Sequence, residues 1–259
     1  MVNAAPNVMD NPTDGGSVYS FGLALSGGSF RGLAHIGVVR ALERYGLAPD
    51  FIAGTSAGSL IGALCAAGRS ADEIEAIALQ IFWPGLLRSQ GIHGFCRKYL
   101  PATFEQLGLP LHVAATELPS RKTHVFSSGD LASALAASCA TPPYFHRVHI
   151  HGVSYTDGGS VSVLPSSICR ANSCRIVIGS DVWLRSAMAA MSGVSPDSKH
   201  ARTLYSRQYV EAFRQCDAVV RPHIPFYTFI PNHASIRALV RTGEKAAQRT
   251  LAKCQALAV

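Results

Sequence analysis

Two strand-like runs, each passing through closely spaced glycines straight into a helical pattern, dominate residues 21 to 67 of this chain. The first, Phe21 to Leu25, enters Gly27-Gly28-Ser29-Phe30-Arg31-Gly32 and then a helical pattern over 33–45. The second, Phe51-Ile52-Ala53, enters Gly54-Thr55-Ser56-Ala57-Gly58 and a small-residue helical pattern over 57–67. A strand that turns directly into a helix returns by a crossover, so its successor pairs in parallel. Further strands are expected at 111–116, 123–127, 148–155, 175–179 and 226–230, with the first two extended to 19–25 and 50–53. Their alternation with helical patterns predicts an α/β fold: three layers, α/β/α, around a mostly parallel central sheet. With 259 residues, 48% of them hydrophobic, the chain can bury one substantial core. A single domain over 18–259 is expected, behind a loose polar tail over 1–17 that lacks a basic-then-apolar leader pattern.

The second turn has the form of a nucleophile elbow, in which a strained strand-to-helix turn lifts a serine hydroxyl above the sheet. Gly54 and Gly58 remove the Cβ atoms that would crowd Ser56 there. The first turn complements it. Backbone N–H groups at the mouth of a helix are donors for developing negative charge, which an acyl-transfer serine requires. A dinucleotide-binding turn is the alternative, and it fits poorly: position 29 is serine, and no acidic residue ends a second strand about 20 residues on. A third element is Tyr155-Thr156-Asp157-Gly158-Gly159, which follows the β-rich stretch 147–153. Alone, Asp157-Gly158 reads as a hairpin turn. Beside the two earlier turns it reads as a carboxylate aimed into a cleft.

Together these blocks resemble the patatin-like phospholipases, especially the small bacterial type, over most of the chain from about Phe21 to about Ala247. The resemblance implies a patatin-like α/β/α domain and a Ser–Asp dyad acyl hydrolase. Gly27, Gly28 and Ser29, supported by Arg31 and Gly32, match the oxyanion-hole segment, which runs from Leu25 to Gly37. Ile52 to Gly58 matches the serine motif, with Ser56 as the implied nucleophile between Gly54 and Gly58. Asp157-Gly158-Gly159 matches the D-G-[GA] motif, with Asp157 as the implied base. The block Ala137-Ser138-Cys139-Ala140-Thr141-Pro142-Pro143-Tyr144-Phe145 is similar to the segment preceding that aspartate. One position departs: where the family usually carries a third glycine, this chain has Ser29. Its N–H remains a donor provided the backbone avoids positive φ, which serine tolerates poorly. A Ser…Asp…His triad through His200, His223 or His233 is formally available, but none of these lies in a distinctive turn, and Gly27 is only 27 positions before Gly54. His35 reads as structural.

The implied substrate is a lipid or acyl ester, with lysophospholipids and medium-chain esters ahead of bilayer phospholipid. Acyl transfer from thioesters and a catalytically silent membrane-binding scaffold are the alternatives. A formal charge of +7 with only 15% charged residues, and no basic cluster interleaved with aromatics, argues against nucleic acid. An anionic membrane surface or an acidic acyl carrier suits the charge better. Two segments could meet lipid. Residues 81–101 carry Phe82, Trp83, Leu86, Leu87, Ile92, Phe95 and Tyr99 among Arg88, Arg97 and Lys98, and read either as a cap or as a packed connecting helix. Over 235–259, Ile236, Leu239, Val240, Ala247, Leu251, Cys254 and Leu257 share one helical face, opposite Arg237, Arg241, Lys245, Arg249 and Lys253. That basic face is more simply a solvated surface. Seven cysteines without a C-x-x-C pair imply free thiols in a reducing, cytoplasmic setting, while the basic charge leaves peripheral contact with an anionic membrane open. No metal site or cofactor is expected, and no apolar run approaches the ~18 residues of a membrane span.

Overall fold

The two glycine-turn units fold as parallel neighbours at the centre of one sheet. A computed structural model describes residues 18–86, 90–142, 145–183, 207–224 and 231–257. Among these residues the sheet has eight strands: β1 (Phe21–Leu25), β2 (Phe51–Thr55), β3 (Leu111–Leu118), β4 (Lys122–Phe126), β5 (Val148–Ile150), β6 (Val153–Asp157), β7 (Ile176–Ser180) and β8 (Ala218–Val220). Pairing runs β8–β7–β1–β2–β3, parallel throughout. Beyond it the sheet turns antiparallel: β4 and β6 both pair with β3, and β5 folds back on β6. The result is a mixed sheet with a parallel centre.

Side-chain alternation divides the core in two. Leu23, Leu25, Ile52, Leu111 and Val113 face α1 (Ala34–Arg44), α2 (Ala57–Ala66), α3 (Ala71–Gln80), α5 (Gly91–Tyr99) and α6 (Leu131–Ser138). Ala24, Phe51, Ala53, Ala114 and Val177 face α7 (Ser166–Ala171) and α8 (Arg207–Arg214). The central strands are therefore continuous apolar runs, as strands covered on both faces must be. A short α4 (Trp83–Leu86) precedes α5. A long α9 (His233–Leu257) packs on α1 and closes the first face. The crossing of α1 and α9 is unusually close. A Cβ on Gly37 would lie 1.8 Å from the Val240 carbonyl oxygen, and one on Gly243 1.9 Å from that of Ala34. Only glycine lets the two backbones meet.

The structure amends several sequence expectations. The stretch 148–155 is not one strand: His151 and Gly152, at φ +49° and +79°, make the hairpin between β5 and β6. Strand β8 was not foreseen, because three residues without turn signals carry no readable period. Ile236, Leu239, Val240, Ala247 and Leu251 are buried as expected, but Cys254 is exposed and leaves the apolar face. Arg237, Arg241, Lys245, Arg249 and Lys253 are all exposed. The tail 1–17, the strand at 226–230, Leu87, Arg88 and His200 lie outside the described residues, as does the side chain of Leu257. Among the described residues no helix is long and apolar enough to cross a membrane.

Candidate active site

Strand register brings Ser56 and Asp157 together. On β3, residues 113–117 pair with β4 along one edge, so β2 and β6 share the other. β2 runs along that edge until Thr55 stands opposite Ala114, and β6 arrives from the other direction with Asp157 opposite Ala115. Two strands thus converge head-on at adjacent register positions, with Ser56 one residue past the end of β2. The Ser56 hydroxyl is close enough to the Asp157 carboxylate to favour its ionised form.

The elbow is strained and held. Ser56 has φ +51° and ψ −123°, a conformation that costs a non-glycine residue on the order of 1–3 kcal/mol. Its N–H donates to Ser138 Oγ at 2.8 Å, and that hydroxyl donates to the Ala114 carbonyl at 2.6 Å. Its carbonyl accepts from Ser59 Oγ at 2.6 Å and from the Ser59 N–H at 2.8 Å. Close approach explains Gly54, whose Cβ would sit 2.5 Å from Ser59 Cα.

Asp157 is similarly fixed. Oδ2 accepts from Thr141 Oγ1 at 2.5 Å and Oδ1 from the Gly159 N–H at 2.7 Å. Its own N–H donates to the Ala140 carbonyl at 3.1 Å. Burial pushes its pKa above the ordinary carboxylate value, while the hydrogen bonds from Thr141 and Gly159 and the nearby Ser56 hydroxyl pull partly back. A carboxylate raised in this way is a better base than a free aspartate.

The turn after β1 lies across Ser56 and presents donors, with two corrections to the expected set. The Gly27 N–H is taken by the Val163 carbonyl at 2.9 Å, so Gly28 and Ser29 carry the loop amides that have no acceptor among the described residues. Ser29 has φ +52°, so the backbone does enter the left-handed region where a glycine is expected. Ser29 is exposed, and its side chain makes no hydrogen bond among the described residues. Arg31 ties the turn down by donating from Nε to the Val182 carbonyl at 2.8 Å, and Gly32 meets Ala57 where a Cβ would approach to 2.5 Å. Gly58 packs on the end of β1 and Gly158 on the Ala114 carbonyl.

No histidine competes with Asp157 among the described residues. His35 is fully buried, with Nδ1 2.7 Å from Ser180 Oγ and Nε2 2.9 Å from the Ser26 carbonyl, and is structural as expected. His233 contacts the Leu79 carbonyl, and His223 is exposed after β8.

Comparison with known proteins identifies the family. The family model described as patatin-like phospholipase matches residues 23–90 and 93–169, which include both glycine turns and Asp157. The chain belongs to the patatin-like phospholipase family. It is similar to an uncharacterized NTE family protein of Mycobacterium tuberculosis, 36% identical over 157 residues, covering 55% of this chain and 43% of that protein. It is also similar to lysophospholipase NTE1 of Yarrowia lipolytica, 28% identical over 180 residues, covering 63% of this chain but 13% of that much longer protein. The chain thus spans less than half the length of these curated relatives. The crystal structure of VipD from Legionella pneumophila has the same fold, with a TM-score of 0.55 at 12% identity over 90% of this chain and 66% of that one.

Around the site of this patatin-like phospholipase family member stand residues whose roles no motif announces. Thr141 and Ser138 both come from the block before Asp157, so the signal was present, but their partners could not be read from spacing. Cys139, in the same block, is buried, and burial pushes its thiol pKa far up, so it remains a neutral thiol. A narrow apolar slot of about 60 Å³ begins at Ser29, Phe30 and Ala57 and continues between Leu60, Leu64, Ile74 and Phe95. The segment 81–101 divides its expected roles. Ile81, Trp83 and Leu86 line the slot, Ile92 and Phe95 pack into the core, and Phe82 is 67% exposed.

Proposed function

We propose that this protein hydrolyses carboxylic esters of single-chain lipids through an acyl-Ser56 intermediate, with Asp157 as general base. The observation that carries the reading is the strand register that sets the strained Ser56, one residue past β2, head-on to the buried Asp157 at the end of β6, beside loop amides that have no acceptor among the described residues. As Ser56 Oγ attacks the ester carbonyl, its proton passes to Asp157, and the carbonyl oxygen becomes an oxyanion. Gly28 and Ser29 N–H groups, at the mouth of a helical turn, are the donors for that charge. Collapse of the intermediate expels the alcohol, which takes the proton from Asp157. A water then gives its proton to Asp157 and attacks the acyl-serine, releasing the acid and restoring Ser56.

The slot beside Ser29 supports an acyl-chain substrate. Its small volume, about 60 Å³, favours one chain over two, which accords with the printed name of the Yarrowia relative, a lysophospholipase. Lysophospholipids and medium-chain esters are therefore placed ahead of bilayer phospholipid.

A fluorophosphonate probe with mass-spectrometric site mapping tests the nucleophile, and labelling confined to Ser56 is expected. On p-nitrophenyl esters of increasing chain length, Ser56→Ala and Asp157→Asn should each lower turnover by on the order of 10³-fold or more. Near-normal hydrolysis by Asp157→Asn would refute the base assignment. Activity on acetyl esters alone, with none on any lipid, would refute the substrate class.

A further inference from the structure

One buried carboxylate has no part in the mechanism above. β7 pairs with β1 until Ser180 stands opposite Leu25, so Asp181 leaves the sheet where Ser26 and the glycine turn begin. It is 1% exposed. An aspartate is almost never buried so fully unless it is paired. Oδ2 accepts from the Tyr209 hydroxyl at 2.5 Å and lies 3.8 Å from Arg221 Nε, while Oδ1 accepts from the Trp183 N–H at 3.2 Å. The Asp181 N–H donates to the Val220 carbonyl at 2.9 Å, at the end of β8.

The next residue, Val182, carries the turn after β1. Its N–H donates to Ser26 Oγ at 2.9 Å, and its carbonyl accepts from Arg31 Nε at 2.8 Å. Its side chain backs Gly28, where a Cβ would come within 2.7 Å of Val182 Cγ2. Ser26, Gly28 and Arg31 thus all meet Val182, which Asp181 anchors from the neighbouring position. Charge acts through the same point. Burial disfavours the Arg31 guanidinium, and the Asp181 carboxylate favours it. Ser29 lies inside this span at φ +52°, and a strained residue keeps such a conformation only where its surroundings over-determine it.

We propose that Asp181 is a positioning residue for ester hydrolysis: through Val182 and Arg31 it fixes the direction of the Gly28 and Ser29 N–H groups. This rests on the reading of those amides as donors to the oxyanion. Such donors stabilise the transition state only if they are aimed before charge develops, so that no reorganisation is needed at the moment of reaction. Without the Asp181 charge, Arg31 loses the anion that offsets its burial, and the turn loses its tie to the Val182 carbonyl. Ser29 is then free to relax from positive φ, and its amide turns away from the oxyanion.

The test measures kcat and KM on p-nitrophenyl octanoate, with kcat taken per Ser56 titrated by the fluorophosphonate, so that misfolded protein does not count. Asp181→Asn keeps the shape of the side chain and an acceptor, and removes the charge. It should lower kcat by roughly 10- to 100-fold and leave KM within about threefold. Arg31→Met should lower kcat similarly. In that background Asp181→Asn should cost less than about threefold more, because the link is already cut. Native kcat per titrated serine in Asp181→Asn, or losses that simply multiply in the double variant, would overturn the proposal. If Asp181→Asn does not fold, Tyr209→Phe decides, since it withdraws one hydrogen bond from the same carboxylate. A lowered kcat at constant KM is then expected, and a native kcat refutes the role. Native protein that neither cleaves the ester nor takes the fluorophosphonate at Ser56 refutes the hydrolase reading and this role together. That result is distinct from an active native protein indifferent to Asp181.

Discussion

At single residues, Ser29 and Ser56 both hold positive φ, and the Thr141 hydroxyl donates to Asp157 Oδ2. Ser56 and Asp157 were legible because each stands among glycines, and glycine marks where backbone or side chain must approach closely. Ser29 shows the limit of that logic. The residue type argued against positive φ, yet the neighbouring turn imposes it. Ser29→Gly should therefore relieve strain, raising stability by up to about 1 kcal/mol after the added unfolded-chain entropy. The amide stays in place, so kcat/KM should change by less than about tenfold; thermal melts and ester assays on the pair check both. Thr141 is the converse, a functional contact hidden in sequence because the chain path after α6 decides what its hydroxyl meets. Its bond to Oδ2 favours the ionised carboxylate. Removing it in Thr141→Val should raise the Asp157 pKa further, and the acid limb of the kcat/KM profile should move to higher pH. Thr141→Ser should restore the limb. A profile unmoved in Thr141→Val, with only its height reduced, would show that Thr141 merely packs.

At the level of elements, the parallel centre of the sheet was readable because strands covered on both faces are unbroken apolar runs. The periphery was less so: β8 is too short to show a period, and the break between β5 and β6 depends on His151 accepting positive φ. The junction of β1, β7 and α1 hangs on His35, whose two ring nitrogens join the β1 end to Ser180. Burial lowers its pKa from 6.5 to about 4. The fold therefore favours neutral imidazole. That contribution is complete above the unfolded-state value of 6.5 and disappears as pH falls through about 4. The shift is worth roughly 3 kcal/mol. His112, pushed by burial to about 4 against Phe51, acts in the same window. Urea melts at pH 7 and pH 4.5 should show a large acid loss for the native chain. His35→Gln should be weaker at pH 7 but lose clearly less on acidification; an unchanged pH slope would show that His35 does not carry the linkage.

For the whole molecule, the question the sequence left open was whether the basic C-terminal helix is a membrane element or part of the domain. Packing answers for its apolar face, which α1 covers at backbone distance through Gly37 and Gly243. Spacing alone could not show this, since an amphipathic helix has the same period whatever it docks against. The sign of one substitution discriminates. In an exposed helix Gly243→Ala would stabilise by about 1 kcal/mol through helix propensity. Here the new methyl would meet the Ala34 carbonyl, and α9 must shift to admit it. Overpacking of this kind costs roughly 1–3 kcal/mol or more, so Gly243→Ala should destabilise, and Gly243→Val more so. The opposite face should be indifferent: reversing exposed Lys245 and Arg249 to glutamate should alter stability by less than about 0.5 kcal/mol and leave ester hydrolysis intact. The same double reversal reports on the charge itself. Sedimentation with vesicles rich in anionic lipid should weaken by roughly 1 kcal/mol per reversed residue if this face meets membrane, and stay unchanged if it is only solvated. A stabilising Gly243→Ala would mean that α9 does not dock on α1, and the helix would return to being a candidate for contacts outside the domain.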